Sequence, residues 1–129
     1  MPHDIADVLL DAWAQWRARR AIGGAGFPVA AAFTRLAPGA RSGSVALGDA
    51  QAAALDDAIA SLRTEDASAW LVLHCHYLGD PDVPARDRRP MPMRATAHRA
   101  DCALSTAYLH LRRGKRVVRE RVLAIRKNR

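Results

Sequence analysis

Residues 64–79 read TEDASAWLVLHCHYLG, and the second half of this stretch is almost wholly apolar. Its apolar side chains would surround a helix on most sides before Gly79 ends it, and a helix of that kind lies in a protein core. Thr64, followed by two acids, is expected to begin the helix. We therefore predict that residues 64–78 form the central helix, with the rest of the chain packed around it.

Two amphipathic segments come before this central helix. Asp4 can cap the first, which runs up to the pair Gly23-Gly24, and Asp49 can cap the second. Residues 23–48, between them, are predicted to be a loop-rich connector with a short apolar piece at 29–36. The expected buried residues are Ile5, Val8, Leu9, Ala12, Trp13 and Trp16 in the first segment and Leu55, Ile59 and Leu62 in the second.

The composition favours an all-α fold, a compact helical domain that spans residues 1–129. Alanine is abundant, aromatic residues make up 5% of the chain and no stretch alternates with period two, so the intrinsic preference is helical. Half of the residues are apolar, which is enough for one buried core. No apolar run could span a bilayer and the first residues lack a signal-peptide pattern, so we expect a cytoplasmic protein without membrane contact.

Four prolines follow the central helix. They lie in residues 80–92, together with several charges, and predict a long exposed loop without regular structure. After this loop, a short helix is expected at residues 93–100 and a long one at 104–125, with a turn of three residues between them. The turn needs a small residue where the helices cross, a residue that tolerates left-handed backbone geometry and an apolar residue after it. Ala97, Asp101 and Cys102 meet these needs, so a helix-turn-helix is predicted within residues 93–125.

All of the net positive charge lies in residues 101–129. This segment carries nine lysines and arginines against two acids, whereas residues 1–100 hold eleven arginines and eleven acids, so the last segment accounts for the whole charge of +7. A helix with one basic face is typical of proteins that contact phosphates. Gly114 would allow a neighbouring helix to approach closely. The apolar stripe expected on the core is Leu104, Ala107, Leu111, Gly114, Val118, Val122 and Ile125.

The opposite arc of the long helix supplies the candidate DNA contacts. A helix laid in the major groove presents its first residues to base edges and its later basic residues to phosphates. The expected base contacts are Ser105, Tyr108, Leu109 and Arg112. The expected phosphate contacts are Arg113, Lys115, Arg116 and Arg119. An ordinary solvated basic face is the alternative that charge and period alone leave open.

We expect neither catalysis nor a metal ion or other cofactor. The chain has no glycine-rich phosphate loop and no HExxH motif, and Asp56 and Asp57 would diverge on a helix. The spacings of the candidate zinc ligands do not match those of structural zinc sites. These candidates are His74, Cys75, His76, His98 and Cys102. The two cysteines are expected to be reduced and buried in helices.

Three short motifs resemble the Q antitermination proteins of lambdoid phages, in the branch without a zinc ribbon. They are DIADVLLDAW at 4–13, HYLG at 76–79 and STAY at 105–108, the last of which opens the basic helix. Thr106, within the last motif, is also a candidate DNA contact. Residues 70–118 are equally similar to the helix-turn-helix of sigma factor region 4, a pattern that Thr106-Ala107, Leu111 and Gly114 fit.

The resemblance implies a protein that binds a DNA element near a late promoter in a bacterial host cell and then joins a paused RNA polymerase holoenzyme. Terminator hairpins could no longer form in the RNA exit channel, and transcription would continue past terminators. Such a protein also needs a surface for polymerase or nascent RNA. The candidates for this surface are Arg86, Arg88, Arg89 and Arg94 or, with a solvated face as the alternative, Arg17, Arg19 and Arg20.

Two other functions remain open from the sequence. A simple transcription regulator would use the same helix-turn-helix to bind its DNA site but would leave terminator read-through unchanged. A basic protein–protein interaction module would dock its last helix on an acidic partner. An antitermination protein or a simple regulator should prefer one duplex sequence over others, whereas a protein–protein interaction module should not.

Overall fold

The computed structural model describes residues 5–21 and 48–127, and these ranges contain five α-helices and no strand. The helices are α1 (Ile5–Ala21), α2 (Asp49–Glu65), α3 (Ala67–Tyr77), α4 (Met93–Arg99) and α5 (Leu104–Lys127). One turn of 3-10 helix, Ala85–Asp87, lies between α3 and α4. The predicted compact all-α fold is confirmed. The predictions for Asp4, for Gly23-Gly24 and for the piece at 29–36 lie outside the described residues.

α3 is the central helix, as its sequence predicts, and it packs against each of the other four helices. Its first turn begins later than expected. Asp66 caps it in place of Thr64, because the Asp66 carboxylate accepts a hydrogen bond from the Ala69 N–H at 3.2 Å. Thr64 and Glu65 instead complete α2, which ends where Asp66 leaves the helical backbone region. The fully buried residues of α3 are Ala69, Val72, Leu73 and Cys75.

α1 and α2 pack together through the two tryptophans of α1. Trp13 and Trp16 are almost fully buried, and each indole N–H donates to a carboxylate of α2. Trp13 donates to Asp56 at 3.0 Å, and Trp16 donates to Asp49 at 3.1 Å. The prediction that Asp49 caps α2 is therefore wrong, since Gly48 occupies the capping position and the Asp49 carboxylate serves Trp16.

The buried face of α1 is wider than its apolar spacing indicates. Ala6 and Leu10 are fully buried beside the expected Leu9, because α1 packs on α5 as well as on α2. Ile5, by contrast, is 42% exposed and does not belong to the core, and Val8 is only partly buried. In α2 the predicted stripe is buried as expected; it consists of Leu55, Ile59 and Leu62.

The loop of residues 80–92 is more regular than its four prolines predict. The prediction of a loop without regular structure is wrong at residues 85–87, where the 3-10 turn lies, although most residues of the loop are exposed. The Arg88 side chain donates hydrogen bonds to three backbone carbonyls of the loop. These hydrogen bonds hold the loop around the Arg88 guanidinium group. These acceptors are the carbonyl oxygens of Asp80, Pro81 and Val83, at 2.8–3.2 Å. Arg99 of α4 also ion-pairs with the loop, at Asp80 and Asp82.

His74 is a buried histidine near the end of α3. Its Nδ1 lies 2.8 Å from the Gly79 carbonyl oxygen, which can only accept, so Nδ1 carries the proton and donates. Burial lowers the pKa of His74 below its ordinary value of 6.5; the hydrogen bond to Gly79 opposes this shift, and the charges of Arg88 and Arg17 add to it. His74 is therefore a neutral group of the folded core.

The protein is expected to lose stability as the pH falls below about 6.5. Below pH 6.5 the unfolded chain binds a proton at His74 more readily than the folded state does. The free energy of unfolding therefore falls by at most about 1.4 kcal/mol per pH unit until the pH reaches the lower pKa of the folded state. Urea unfolding at pH 7.5 and pH 5.5 measures the loss. His74→Asn, which can still donate to Gly79, should show a smaller difference between the two pH values, whereas the exposed-site variant His98→Asn should match the wild type. The same pH dependence in all three proteins would contradict the assignment to His74.

Candidate nucleic-acid interface

The turn that joins α4 to α5 has the local geometry that its residues predict. Ala97 is 4% exposed, and its carbonyl accepts a hydrogen bond from the Cys102 N–H at 3.0 Å. Asp101 has a φ of +56°, in the left-handed region that aspartate adopts more readily than most residues other than glycine. The turn occupies residues 100–102, and α5 starts shortly afterwards at Leu104.

One face of α5 is buried against the core. Its buried residues are Ala107, Leu111, Gly114 and Val118. A Cβ atom added to Gly114 would lie 2.9 Å from Leu73 Cδ1 and 3.6 Å from Leu62 Cδ2, so the predicted close approach is present. Leu104 departs from the prediction because it is 39% exposed, and the buried stripe begins one turn later. The Ile125 side chain lies outside the described part of the chain.

The opposite face of α5 is exposed along a single line at intervals of three or four residues. This line, called the exposed row below, consists of Ser105, Leu109, Arg112 and Arg116. Tyr108 stands beside it and is 48% exposed, while Leu109 is 50% exposed. Arg112 and Arg116 make no hydrogen bond or ion pair with any residue that the structure describes. Both guanidinium groups are therefore available to a ligand.

Three other cations of α5 are paired with carboxylates from elsewhere in the bundle. The pairs are Lys115–Asp7 at 2.6 Å, Arg113–Asp66 at 2.9 Å and Arg121–Glu65 at 3.1 Å. They connect α5 to α1, to the cap of α3 and to the end of α2. The hydrogen bond from Arg113 holds the pKa of the Asp66 carboxyl below its ordinary value.

These pairs change the set of predicted phosphate contacts. Arg113 and Lys115 hold α5 on the bundle, and Arg119 is half-buried and interacts within the chain. Arg116 remains free within the described residues. Thr106, a further candidate DNA contact, is half-buried at the side of the exposed row. No sequence spacing links the acids of α1 and α2, or the cap residue Asp66, to α5, so the sequence pattern does not indicate this pairing.

The arginines predicted to contact polymerase or RNA differ in their surroundings. The exposed ones are Arg86, Arg89 and Arg94. Arg88 is half-buried and held by the loop carbonyls described above. Its side chain meets Arg17 and Arg20 of α1 at one pocket. Two arginine clusters that lie far apart in the sequence therefore converge, which the sequence alone did not indicate.

The five candidate zinc ligands, all of them in the described part of the chain, do not come together as a metal site. Within residues 5–21 and 48–127, no three His, Cys, Asp or Glu side chains are grouped as ligands of a metal ion. His74 and His76 instead approach backbone carbonyls, those of Gly79 at 2.8 Å and Met91 at 3.0 Å. Both rings thus have a role in closing the end of α3.

Cys75 is expected to stay unmodified in the folded protein. Its side chain is fully buried, and burial raises the pKa of its thiol to about 11, so little thiolate exists at neutral pH. Cys102 lies in the turn and is partly exposed, contrary to the prediction of a buried thiol in a helix, and both thiols are free. A chromogenic thiol reagent at pH 7.5 should titrate Cys102 quickly and Cys75 only after denaturation. The fast phase should disappear in Cys102→Ser, and two fast thiols in the native wild type would contradict the burial of Cys75.

Comparisons with protein-family models, with curated proteins and with solved structures find no match to this chain. None of the helices in the described ranges is both long enough and apolar enough to cross a membrane. The interpretation of α5 rests on its own geometry. One face is packed on α3, three ion pairs hold the helix, and the exposed row carries two arginines that have no partner among residues 5–21 and 48–127.

Proposed function

We propose that this chain binds duplex DNA by placing the first turns of α5 in the major groove. The observation that carries the proposal is the exposed row, in which Arg112 and Arg116 have no partner among the described residues. A helix that enters a groove needs one face free for the DNA and the other anchored in the protein. α5 has this division, and it follows directly on a tight turn after α4.

The position of each residue in the exposed row suggests its role. Ser105 and Leu109 lie in the first two turns of α5, where a groove-bound helix meets base edges. Arg112 can donate two parallel hydrogen bonds to O6 and N7 of a guanine, the commonest specific contact of this kind. Arg116, one turn further along, would hold a phosphate and so set the register without reading sequence.

The ion pairs of α5 support this proposal by setting the direction in which the exposed row points. Lys115 is tied to α1, and Arg113 and Arg121 are tied to the junction between α2 and α3, so rotation of α5 about its axis would break all three pairs. Partly exposed pairs contribute little to stability, typically about 0.2–1 kcal/mol each. These ion pairs therefore matter to the proposed contact because they orient α5, and not because they stabilise the fold.

We further propose transcription antitermination as the process that this DNA contact serves, on the basis of the resemblance to the Q proteins. The protein would bind an element near a late promoter and join a paused polymerase holoenzyme. Arg86, Arg89 and Arg94 are exposed and could contact polymerase or nascent RNA. A simple transcription regulator would make the same DNA contact without any effect on terminators.

Selection of bound duplexes from a random library, at moderate salt, tests the DNA contact. The wild type is expected to enrich one motif, and the double variant Arg112→Ala, Arg116→Ala, run in parallel, is expected to enrich none. A wild type that enriches no motif would reject groove reading by α5.

Terminator read-through tests the antitermination role. The template carries the selected motif beside a promoter and a terminator downstream, and it is transcribed by a bacterial RNA polymerase holoenzyme. The wild type is expected to increase the fraction of transcripts that pass the terminator, and the double variant is not. Motif binding without any gain in read-through would favour the simple regulator.

A protein–protein interaction module is the second candidate function. It is favoured by apolar side chains at the start of α5, since Leu104, Tyr108 and Leu109 are 39%, 48% and 50% exposed. Aromatic side chains and arginines are enriched in protein interfaces, and an acidic partner would suit the charge of α5. The duplex selection separates the two functions, because an acidic-surface binder has no preference among DNA sequences.

A further inference from the structure

A small open pocket lies between the end of α1 and the loop of residues 80–92. Its volume is about 280 Å³. It is lined by Arg17, Ala18, Arg20, Leu78, Ala85 and Arg88. Three of these residues are arginines, none is acidic and none belongs to α5. The pocket is therefore a cationic site separate from the exposed row.

The arginines of α1 retain much of their capacity to bind an anion. Arg20 lies over the Trp16 ring, 4.9 Å from its centroid, and has no ion-pair partner among the described residues. Among the described residues, Arg17 has one ion pair, with Asp56, at the long distance of 3.5 Å. Asp56 also accepts the indole N–H of Trp13, so its charge is shared between two donors.

Arg88 is the rigid member of the group. Its Nε and Nη2 donate to loop carbonyls, so the orientation of its guanidinium is set before any ligand arrives, and its Nη1 has no partner among the described residues. A pre-oriented guanidinium with one free edge is well suited to phosphate oxygens.

The other lining residues in the described part of the chain are apolar. Ala18, Leu78 and Ala85 present aliphatic carbon where a flat organic group could pack. Small-molecule sites usually measure about 300–1,000 Å³, so this pocket lies just below that range and suits one small ligand. A ligand that matches both parts of the lining carries a phosphate at one end and an uncharged ring at the other.

We propose that this pocket binds a single nucleotide unit, with the phosphate held by Arg17, Arg20 and Arg88 and the base or sugar against the apolar wall. The nucleotide can come from two sources, a free mononucleotide or an unpaired position in a single strand. The proposal does not depend on duplex binding by α5.

Binding is tested in the full chain carrying Arg112→Ala and Arg116→Ala, so that the exposed row of α5 cannot mask the pocket. A fluorescent single-stranded pentanucleotide is titrated by anisotropy, AMP is titrated by calorimetry, and inorganic phosphate serves as a competitor. Adding Arg20→Gln is expected to weaken nucleotide binding about 10-fold, the loss typical of one charge-assisted hydrogen bond. Arg19→Gln is the matched control, since Arg19 is exposed, lies next to Arg20 and does not line the pocket.

The relative affinities for the pentanucleotide and for AMP identify the source of the nucleotide. Pentanucleotide binding that is much tighter than AMP binding assigns the pocket to a strand, and equal binding assigns it to a free nucleotide. The proposal is overturned if neither ligand binds, if Arg19→Gln and Arg20→Gln cause equal losses, or if inorganic phosphate competes as well as AMP. Circular dichroism of both variants checks that the fold is retained. Duplex selection with the wild type decides the proposed DNA contact independently.

Discussion

Gly114→Leu is expected to lower the free energy of unfolding by about 1–3 kcal/mol, the usual cost of overpacking a core. A Cβ atom alone would lie 2.9 Å from Leu73 Cδ1, and Leu73 is fully buried on α3. The three further carbons of leucine must therefore push α5 away from α3 or displace the Leu62 and Leu73 side chains. Thermal unfolding followed by circular dichroism measures the effect, at about 3–5 °C for each kcal/mol in a chain of this length.

The direction in which the melting temperature changes distinguishes a buried Gly114 from an exposed one. At an exposed helix position, leucine stabilises a helix relative to glycine by about 0.5–1 kcal/mol. A higher melting temperature for Gly114→Leu would therefore place Gly114 on the surface and contradict the packing of α5 on α3. Ala124→Leu provides the control, because Ala124 is exposed on the same helix and its enlargement should leave the melting temperature almost unchanged.

Arg112→Ala is expected to reduce the preference for the selected duplex over random DNA by about 1–3 kcal/mol. Arg116→Ala is expected to weaken both duplexes alike and to lower the salt dependence of binding by about one phosphate contact. The difference arises because a base contact reads sequence and a phosphate contact does not. Titration of each variant with the selected and a scrambled duplex, at several salt concentrations, measures both quantities.

Arg19→Ala is the control for these two variants. It also removes one positive charge from the protein surface, but Arg19 is exposed on α1 and does not belong to the exposed row. Its preference for the selected duplex should equal that of the wild type. Equal losses on selected and scrambled DNA for both Arg112→Ala and Arg116→Ala would defeat the assignment of separate roles within the exposed row.

The features that could be predicted from the sequence are those that depend on one residue or one helix. The apolar side chains around residues 70–78 require burial wherever that helix lies, and α3 is indeed the core. Gly114 was predicted to meet a neighbouring helix, because it replaces a side chain in the middle of an apolar stripe. Asp101 was predicted to adopt left-handed geometry from its place after Ala97 and from the backbone preferences of aspartate.

The features that the sequence left open or misplaced depend on distances between helices. Asp49 was expected to cap α2 but accepts the indole N–H of Trp16, and Asp66 rather than Thr64 caps α3. A carboxylate near the start of a helix can accept a hydrogen bond from the backbone of its own helix or from a side chain of a neighbouring helix. The packing of the helices determines which of these partners the carboxylate binds, and the sequence pattern alone does not show it.

The sequence by itself determined an all-α chain with a central apolar helix, a turn before the last helix and one basic face on that helix. Only the tertiary structure decided which cations of this face are free. An ion pair needs two charged groups within about 4 Å. The acids of α1 and α2 and the cap residue Asp66 of α3 reach that distance from α5 only when the bundle is packed. The same reason explains why Arg17, Arg20 and Arg88 line one pocket, since α1 and the loop of residues 80–92 become neighbours only in the folded chain.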